Sequence, residues 1–259
     1  MKIPYFHVNA FTDHVFGGNP AGVCLLESWT EDTLLQRIAA ENNLPETAFV
    51  VPGEKTVALR WFSPLMEIDL CGHATLAAAF ILDTTGNTAD RPIHFATRSG
   101  ILTVDKQNDL FIMDFPARPA AAADFPETLV RGLGTAPGAV YKARDYLCVF
   151  EGEDQVAALS PDFSALAELD CLGVIATAAG REVDFVSRFF APRAGIPEDP
   201  VTGSSHCTLI PYWAERTGKD RFVARQLSPR GGLLYCAHHG ARVRIGGKAV
   251  LYHFATIVL

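Results

Sequence analysis

The sequence predicts an α+β protein made of two related lobes, each with strands wrapped around one central buried helix. The main observation is an internal repeat: Arg60–Pro64 reads RWFSP, and Arg188–Pro192 in the second half reads RFFAP. In both halves this aromatic strand is followed by a loop, a glycine (Gly72 or Gly203) and a helical segment. With 259 residues, the chain is long enough for two such lobes.

The first half contains two candidate helices among short strands. Thr30 is the expected N-cap of the first helix, which has acidic residues in its first turn and ends near Asn43. The second, Ala74–Leu82, is apolar on every face, which predicts burial all round, and Gly86 ends it. Strand candidates rich in β-branched and aromatic residues cover 3–11, 21–26, 47–51, 57–62, 93–96, 101–104 and 110–115.

The second half repeats this order of elements. Ser160 is the expected N-cap of a helix that has Pro161 at its first position. A longer helix runs from about Ser204 to Arg216 and ends before Gly218, and Pro211 inside it predicts a kink. Strands are expected at 140–150, 172–177 and 185–190.

A change in composition marks the boundary between the lobes. Residues 116–126 combine several prolines with an alanine run, which is typical of a connector. We therefore expect the lobes to cover residues 1–116 and 117–248.

Composition and charge exclude several classes of protein. The net charge is −7 and no basic run occurs, so we expect no nucleic-acid partner. No apolar run approaches the ~20 residues of a membrane span, and the N-terminal residues lack the apolar region of a signal peptide. The six cysteines form no C-x-x-C pair, which indicates reduced thiols and a cytoplasmic location.

The N-termini of the two buried helices are candidate anion sites. Helix N-termini carry unpaired N–H groups and partial positive charge, and glycine lets a ligand approach the backbone closely. Gly72-His73 and Gly203-Ser204 stand at these positions. Two lobes related by a pseudo-twofold axis would direct both N-termini to one cleft, which would suit a small carboxylate.

Three side chains are candidates for acid–base chemistry. Glu46 precedes the apolar run Ala48–Val51, where loss of solvent would raise its pKa and make it a base; the alternative is a solvated loop residue. His73 is either a hydrogen-bond donor and proton relay or a capping residue. Asp199 either orients His73 and binds a substrate group or caps the following helix.

Other chemistries lack their sequence patterns. Ser204 does not stand in the G-x-S-x-G turn that an activated serine needs. Cys236, His238 and His239 fit no zinc spacing, and neither a P-loop nor G-x-G-x-x-G occurs. We therefore expect neither a metal nor a cofactor.

Four segments together resemble the PhzF-like (phenazine biosynthesis-like) family. They are Phe16–Val23, Leu44–Phe49, Asp69–Thr75 and Glu198–Ser204, with weaker matches at Gln226 through Arg230–Gly232 and at Gly247–Val250. The matches extend over nearly the whole chain in the family's order.

The resemblance implies a fold similar to diaminopimelate epimerase, with segment 249–259 returning to the first lobe. It also implies a homodimeric, cofactor-independent isomerase that moves a proton on a small, cyclic or aromatic-like carboxylic acid. The family's catalytic glutamate matches Glu46. Other site residues carried over by the resemblance are Asn19, Gly72, His73, Asp199, Gly203 and Ser204.

Two other functions remain open from the sequence. A two-base epimerase or racemase resembles the chain at Cys71–His73, but Pro200 stands where such an enzyme needs its second thiol. A non-catalytic small-molecule-binding or regulatory protein on the same scaffold is the other alternative, because fold does not fix function.

Overall fold

The computed structural model describes residues 1–87 and 92–259, which divide into two compact units. Unit 1 comprises Met1–Asp114 and Gly246–Leu259, and unit 2 comprises Phe115–Ile245. The sequence predicts boundaries after residues 116 and 248; in the structure they fall after 114 and 245. Within the described ranges, no helix combines the length and apolarity that crossing a membrane requires.

The elements of the first half are β1 (Lys2–Ala10), β2 (Asn19–Leu25), α1 (Asp32–Asn42), β3 (Glu46–Val51), β4 (Val57–Phe62), β5 (Glu67–Ile68), α2 (Gly72–Thr85), β6 (Ile93–Thr97), β7 (Gly100–Gln107) and β8 (Leu110–Pro116). Those of the second half are β9 (Ala121–Ala122), α3 (Glu127–Leu133), β10 (Ala139–Lys142), β11 (Tyr146–Val149), α4 (Glu153–Ala157), α5 (Phe163–Ala167), β12 (Val174–Ala179), β13 (Phe185–Phe190), a 3₁₀ turn (Pro192–Ala194), α6 (Gly203–Thr217), β14 (Arg221–Gln226), β15 (Gly232–His239), β16 (Arg242–Gly247) and β17 (Ala249–Val258).

The two units share one strand-pairing pattern. In unit 1, β1–β2 is antiparallel, β2–β3 parallel, β3–β4 antiparallel, β4–β6 parallel and β6–β7 antiparallel. In unit 2, the series β10–β11, β11–β12, β12–β13, β13–β14 and β14–β15 alternates in the same way. The long helices α2 and α6 occupy the equivalent crossover, between β4 and β6 and between β13 and β14. This common order confirms the duplicated α+β fold.

The last strand closes unit 1. β17 pairs antiparallel with β1 over its whole length, from Lys2↔Val258 to Ala10↔Ala249, with a bulge between His7 and Val8. β1 therefore lies between β17 and β2. The segment after residue 248 thus completes the sheet that the first residues of the chain begin.

Helix α2 is the apolar centre of unit 1. It contacts β1, β2, β3 and β17, and its residues Ala74–Ala79 and Ile81–Leu82 are all inaccessible to solvent. Three of its central side chains are alanines, which allow strands to approach the helix axis closely. Gly86 ends the helix with φ of 70°, a left-handed conformation that favours glycine.

Helix α6 is buried to the same extent but is more polar. His206 donates its Nδ1–H to the carbonyl of Thr202 at 2.8 Å, and Trp213 donates to Thr177 Oγ1 at 3.1 Å. Burial lowers the pKa of His206 to about 4, so this side chain is neutral in the core. Pro211 lies inside the helix, as the sequence predicts.

Two helix starts differ from the sequence predictions. α1 begins one residue later than expected, with Glu31 and not Thr30 at the N-cap. α5 begins at Phe163, and its N-cap is Asp162, not Ser160. The carboxylate of Asp162 accepts hydrogen bonds from the backbone N–H groups of Ser164 and Ala165. The Ser160 hydroxyl, two residues earlier in the chain, is outside the capping position for these groups. Elements without a counterpart among the predicted ones are α3, α4, β5, β9 and β14–β16.

Close packing around α2 predicts that Ala78→Leu destabilises the protein. The added side-chain carbons have no room, because Ala78 is fully buried among strands, and overpacking of this kind costs about 1–3 kcal/mol of unfolding free energy. Thr84→Leu, at an exposed position of the same helix, is the control and should stay within about 0.5 kcal/mol of the parent. Urea denaturation followed by circular dichroism measures both, and equal effects would contradict the packing argument.

Candidate active site

Four buried side chains meet at the N-terminal end of α2 in unit 1. Asn19 begins β2 and Glu46 begins β3, and these strands run parallel, so both residues lie at the same edge of the sheet. Cys71 is the N-cap residue of α2, and His73 is the second residue of that helix. The local fold thus brings together three segments that are separated in sequence.

His73 is in contact with the other three side chains. Its Nε2 lies 3.0 Å from Glu46 Oε2, and its Nδ1 lies 3.2 Å from the Asn19 amide nitrogen. Cys71 Sγ lies 3.5 Å from Nδ1 and 3.9 Å from Nε2. A carboxylate, an imidazole and a thiol therefore form one buried cluster.

The Glu46 carboxylate lies against the His73 ring. Oε2 is inaccessible to solvent and lies 3.0 Å from Nε2, so the two side chains form a close charge pair. Within residues 1–87 and 92–259, no group other than His73 is in position to donate to Oε2. A buried carboxylate with this single neighbour is suited to exchange a proton, as a general base requires.

The buried cluster shifts two pKa values upward. Burial, followed by the charge of Glu46, raises the pKa of the Cys71 thiol. Burial alone would lower the pKa of His73, but the charges that Cys71 and Glu46 can carry beside it outweigh this effect and raise it well above its ordinary value. The raised pKa of Cys71 favours the neutral thiol, so the charge of Glu46 is the one that favours the imidazolium form of His73.

The remaining predicted site residues lie together in unit 2, around the start of α6. Asp199 Oδ2 accepts a hydrogen bond from Thr202 Oγ1 at 2.5 Å. Gln226 donates to the Asp199 carbonyl at 2.7 Å and accepts from the Thr202 backbone N–H at 2.9 Å. Gly203 is the first residue of α6, and Ser204 Oγ accepts from Arg144 at 3.1 Å.

The structure therefore brings Asn19, Glu46, Gly72 and His73 together in unit 1, and Asp199, Gly203 and Ser204 together in unit 2. That Asp199 orients His73 stays a prediction.

Sequence reasoning missed or undervalued three residues of these networks. In the sequence, Cys71 indicates only a resemblance to racemases. In the structure, its position directly before Gly72-His73 places its thiol against the imidazole. Gln226 ends β14 and Arg144 lies between β10 and β11, so neither is adjacent in sequence to the loop that precedes α6. Only the parallel pairing of β13 with β14, which sets Ser187 opposite Gln226, brings the glutamine to this loop.

One group of metal-type donors lies close together in the part of the chain that the structure describes. The donor atoms of Glu46, Cys71 and His73 are all within 4.8 Å of one another. A divalent ion there would have to displace the protons of the thiol and the imidazole, because both pKa values are raised. Cys236, His238 and His239, the residues weighed from the sequence, are not part of this group.

The duplicated architecture defines the fold class. It is shared with a probable proline racemase from Agrobacterium radiobacter at a TM-score of 0.68 and 10% identity, covering 99% of this chain and 93% of that one, which establishes the fold alone. Residues 8–254 match the family model described as phenazine biosynthesis-like protein, PhzC-PhzF. The chain belongs to this phenazine biosynthesis-like family.

Similar proteins cover the full length of the chain. A Pseudomonas aeruginosa protein named "uncharacterized isomerase" is 50% identical over 259 residues, 100% of both chains. The human "phenazine biosynthesis-like domain-containing protein" is 36% identical over 100% of this chain and 98% of its own. A crystal structure of a PhzF family protein from Enterococcus faecalis has a TM-score of 0.98 at 47% identity, over 100% of both chains.

The pKa of His73 predicts a specific dependence on pH. Because the pKa is raised in the folded state, binding of the proton stabilises the fold fully below pH ~6.5, and this contribution is lost as the pH rises through the raised pKa. Relative to His73→Asn, the parent should therefore lose unfolding free energy above pH ~6.5. Histidine ring resonances should show His73 still protonated there, and Glu46→Gln should lower its pKa.

His206 provides an internal control for this titration. Its pKa is lowered to about 4 by burial, so its ring should stay neutral from pH 7 down to about 5. A His73 that titrates at or below the ordinary histidine value in the parent protein would contradict the ion pair.

Proposed function

We propose that this protein is a cofactor-independent isomerase that moves a proton between two positions of a small, cyclic or aromatic-like carboxylic acid. Glu46 is the acid–base group. The observation that carries this proposal is the buried carboxylate of Glu46, whose Oε2 lies 3.0 Å from Nε2 of His73.

The chemistry follows from the charges in the cluster. Glu46 takes the proton from a substrate carbon, holds it while negative charge spreads over the substrate, and returns it at the second position. The His73 imidazolium, fixed at the N-terminus of α2, stabilises that charge as it develops. The neutral Cys71 thiol is a poor base, since burial has raised its pKa.

Backbone groups supply the proposed carboxylate site. Gly72 and His73 are the first residues of α2, where the N–H groups have no partners within the helix, and these bind the substrate carboxylate. The other residues proposed to bind substrate are Asn19 in unit 1 and Asp199, Gly203 and Ser204 in unit 2. Asp199 also acts catalytically, by fixing a polar group of the substrate.

The comparisons support an isomerase and leave the substrate open. Relatives from Pseudomonas aeruginosa and Halalkalibacterium halodurans, 50% and 45% identical, carry the name "uncharacterized isomerase". The proposed cytoplasmic location is supported by six cysteines that are all unpaired in the structure.

A two-base epimerase is the second candidate, because the Cys71 thiol lies against His73. The argument against a two-base epimerase concerns its second base. Pro200 stands at the position where unit 2 would supply a thiol, and Cys207 lies inside α6, where burial raises its pKa to about 11. The test variants below separate the two chemistries.

Glu46→Gln should abolish the isomerase reaction, because the amide keeps the shape and loses the basicity. General-base loss costs about 10²–10⁴-fold in kcat. Candidate cyclic and aromatic acids are incubated in heavy water, and the exchange of their carbon-bound hydrogens is followed by NMR.

Cys71→Ser is the matched control and should retain most of the activity. Full activity in Glu46→Gln together with loss in Cys71→Ser would replace this proposal with the thiol mechanism. Binding of an acid without exchange in the parent would instead favour the non-catalytic alternative.

A homodimer is also proposed, through the outer face of β17. This strand exposes large apolar side chains that a monomer would leave in water: Tyr252, Phe254 and Val258, with Leu259 beyond its end. Phe16 extends the patch, since its ring meets that of Tyr252 at 5.8 Å. Exposed apolar patches of this kind mark association surfaces.

Phe254→Lys should convert the dimer to a monomer, because it places a charge at the centre of an apolar contact. Sedimentation velocity at micromolar concentration measures this. Ile101→Lys, at an exposed apolar residue on β7, is the control and should leave the oligomeric state unchanged. A parent that sediments as a monomer would refute this part of the proposal.

A further inference from the structure

An arginine–glutamate pair joins two segments of unit 1 beside the candidate site. Arg60 on β4 donates Nε to Glu67 Oε1 at 2.7 Å and Nη2 to Oε2 at 2.8 Å. The side chains are only 17% and 12% exposed. This planar, two-bond contact fixes both the distance and the orientation of the two groups.

The neighbours of the pair restrict it further. Arg60 Nη1 donates to Asp32 at the start of α1 at 2.7 Å, and its guanidinium lies 5.1 Å from the centre of the Phe62 ring. Arg98 lies 2.8 Å from the second oxygen of Glu67. All three guanidinium nitrogens of Arg60 and both carboxylate oxygens of Glu67 therefore have partners.

Unit 2 contains an equivalent arginine–glutamate pair. Arg188 on β13 donates Nε to Glu198 Oε1 at 2.7 Å and Nη2 to Oε2 at 2.9 Å. Its guanidinium lies 4.9 Å from the centre of the Phe190 ring, two residues along the strand, just as Arg60 lies over Phe62. In both units the glutamate precedes the first glycine of the buried helix by five residues (67 to 72 and 198 to 203).

The Arg60–Glu67 pair lies between the two segments that carry Glu46 and His73. Arg60 is paired across the sheet with Phe49 of β3, the strand that Glu46 begins. Glu67 lies on the segment that leads into Cys71 and His73. The Arg60–Glu67 pair therefore bridges the strand system that carries the carboxylate and the segment that carries the imidazole.

We propose that Arg60 and Glu67 are positioning residues that set the N-terminus of α2 against Glu46, and that Arg188 and Glu198 set the start of α6 in the same way. A 3.0 Å contact between His73 and Glu46 tolerates displacements of only about 0.5 Å. The expected effect on kcat rests on the proposed function, whereas the expected effect on the contact between His73 and Glu46 does not.

The deciding variant is Arg60→Lys. Lysine keeps the positive charge but has one point of contact, so it cannot hold both oxygens of Glu67 in one plane. The first readout is the titration of the His73 ring in the protein without substrate. Three groups face this ring: Asn19 from β2, Glu46 from β3 and Cys71 from the N-cap of its own helix. Cys71 moves together with His73, whereas Asn19 and Glu46 are held in paired strands, so loosening the pair changes the distance between the His73 ring and Glu46.

We expect Arg60→Lys and Glu67→Gln to fold, to lower the pKa of His73 and to reduce kcat by tenfold or more, with a smaller change in KM. Asp83→Asn is the matched control, since it removes an ion pair with Lys106 near the other end of α2. It should lower thermal stability without moving the His73 titration or kcat. If Glu67→Gln does not fold, Arg60→Lys decides alone.

Each outcome has a separate meaning. Unchanged His73 titration in Arg60→Lys, with a stability loss like that of Asp83→Asn, would reduce the pair to a stabilising contact and overturn the proposal. A shifted titration in a protein whose Glu46→Gln variant keeps full activity would support the positioning role and refute the proposed function instead.

Discussion

Burial of a helix on every side is the constraint on which the rest of this structure depends. A helix enclosed by strands is stable when it is apolar, as Ala74–Leu82 is, or when its buried polar atoms find partners, as His206 Nδ1 does with the Thr202 carbonyl. Its N-terminal N–H groups cannot be paired within the helix. The N-termini of α2 and α6 are therefore where each unit concentrates polar side chains, and where binding and proton transfer can be placed without disturbing the core.

The two units share one backbone arrangement but differ in the side chains at the start of the buried helix. The pairing order of the strands, the crossover helix and the arginine–glutamate pair are common to both. In unit 1 the helix start carries a thiol, an imidazole and a nearby carboxylate, three groups that can exchange protons. In unit 2 the equivalent loop is held by Gln226, which donates to the Asp199 carbonyl and accepts from the Thr202 backbone N–H. Duplication thus supplied two helix termini, and the side chains around them diverged.

The fold and half of the candidate site could be predicted from local patterns. Apolarity on all faces identified α2, and the aromatic repeat identified the duplication. The sequence alone does not distinguish Ser160 from Asp162 as the N-cap of α5, since serine and aspartate are both good caps and the backbone conformation decides which one is used. Glu67 and Glu198 carry no local signal, because their role comes from an arginine on another element. Gln226 is linked to its loop only by strand pairing.

The pairing of β17 with β1 has a consequence for the order of synthesis. β17 leaves the ribosome after the whole of unit 2, whereas β1 is made first, so the sheet of unit 1 stays incomplete until translation of both units is over. Unit 2 is continuous in sequence and can fold as soon as it emerges. Until β17 pairs with it, one edge of β1 lacks a strand partner, and such unpaired edges favour aggregation.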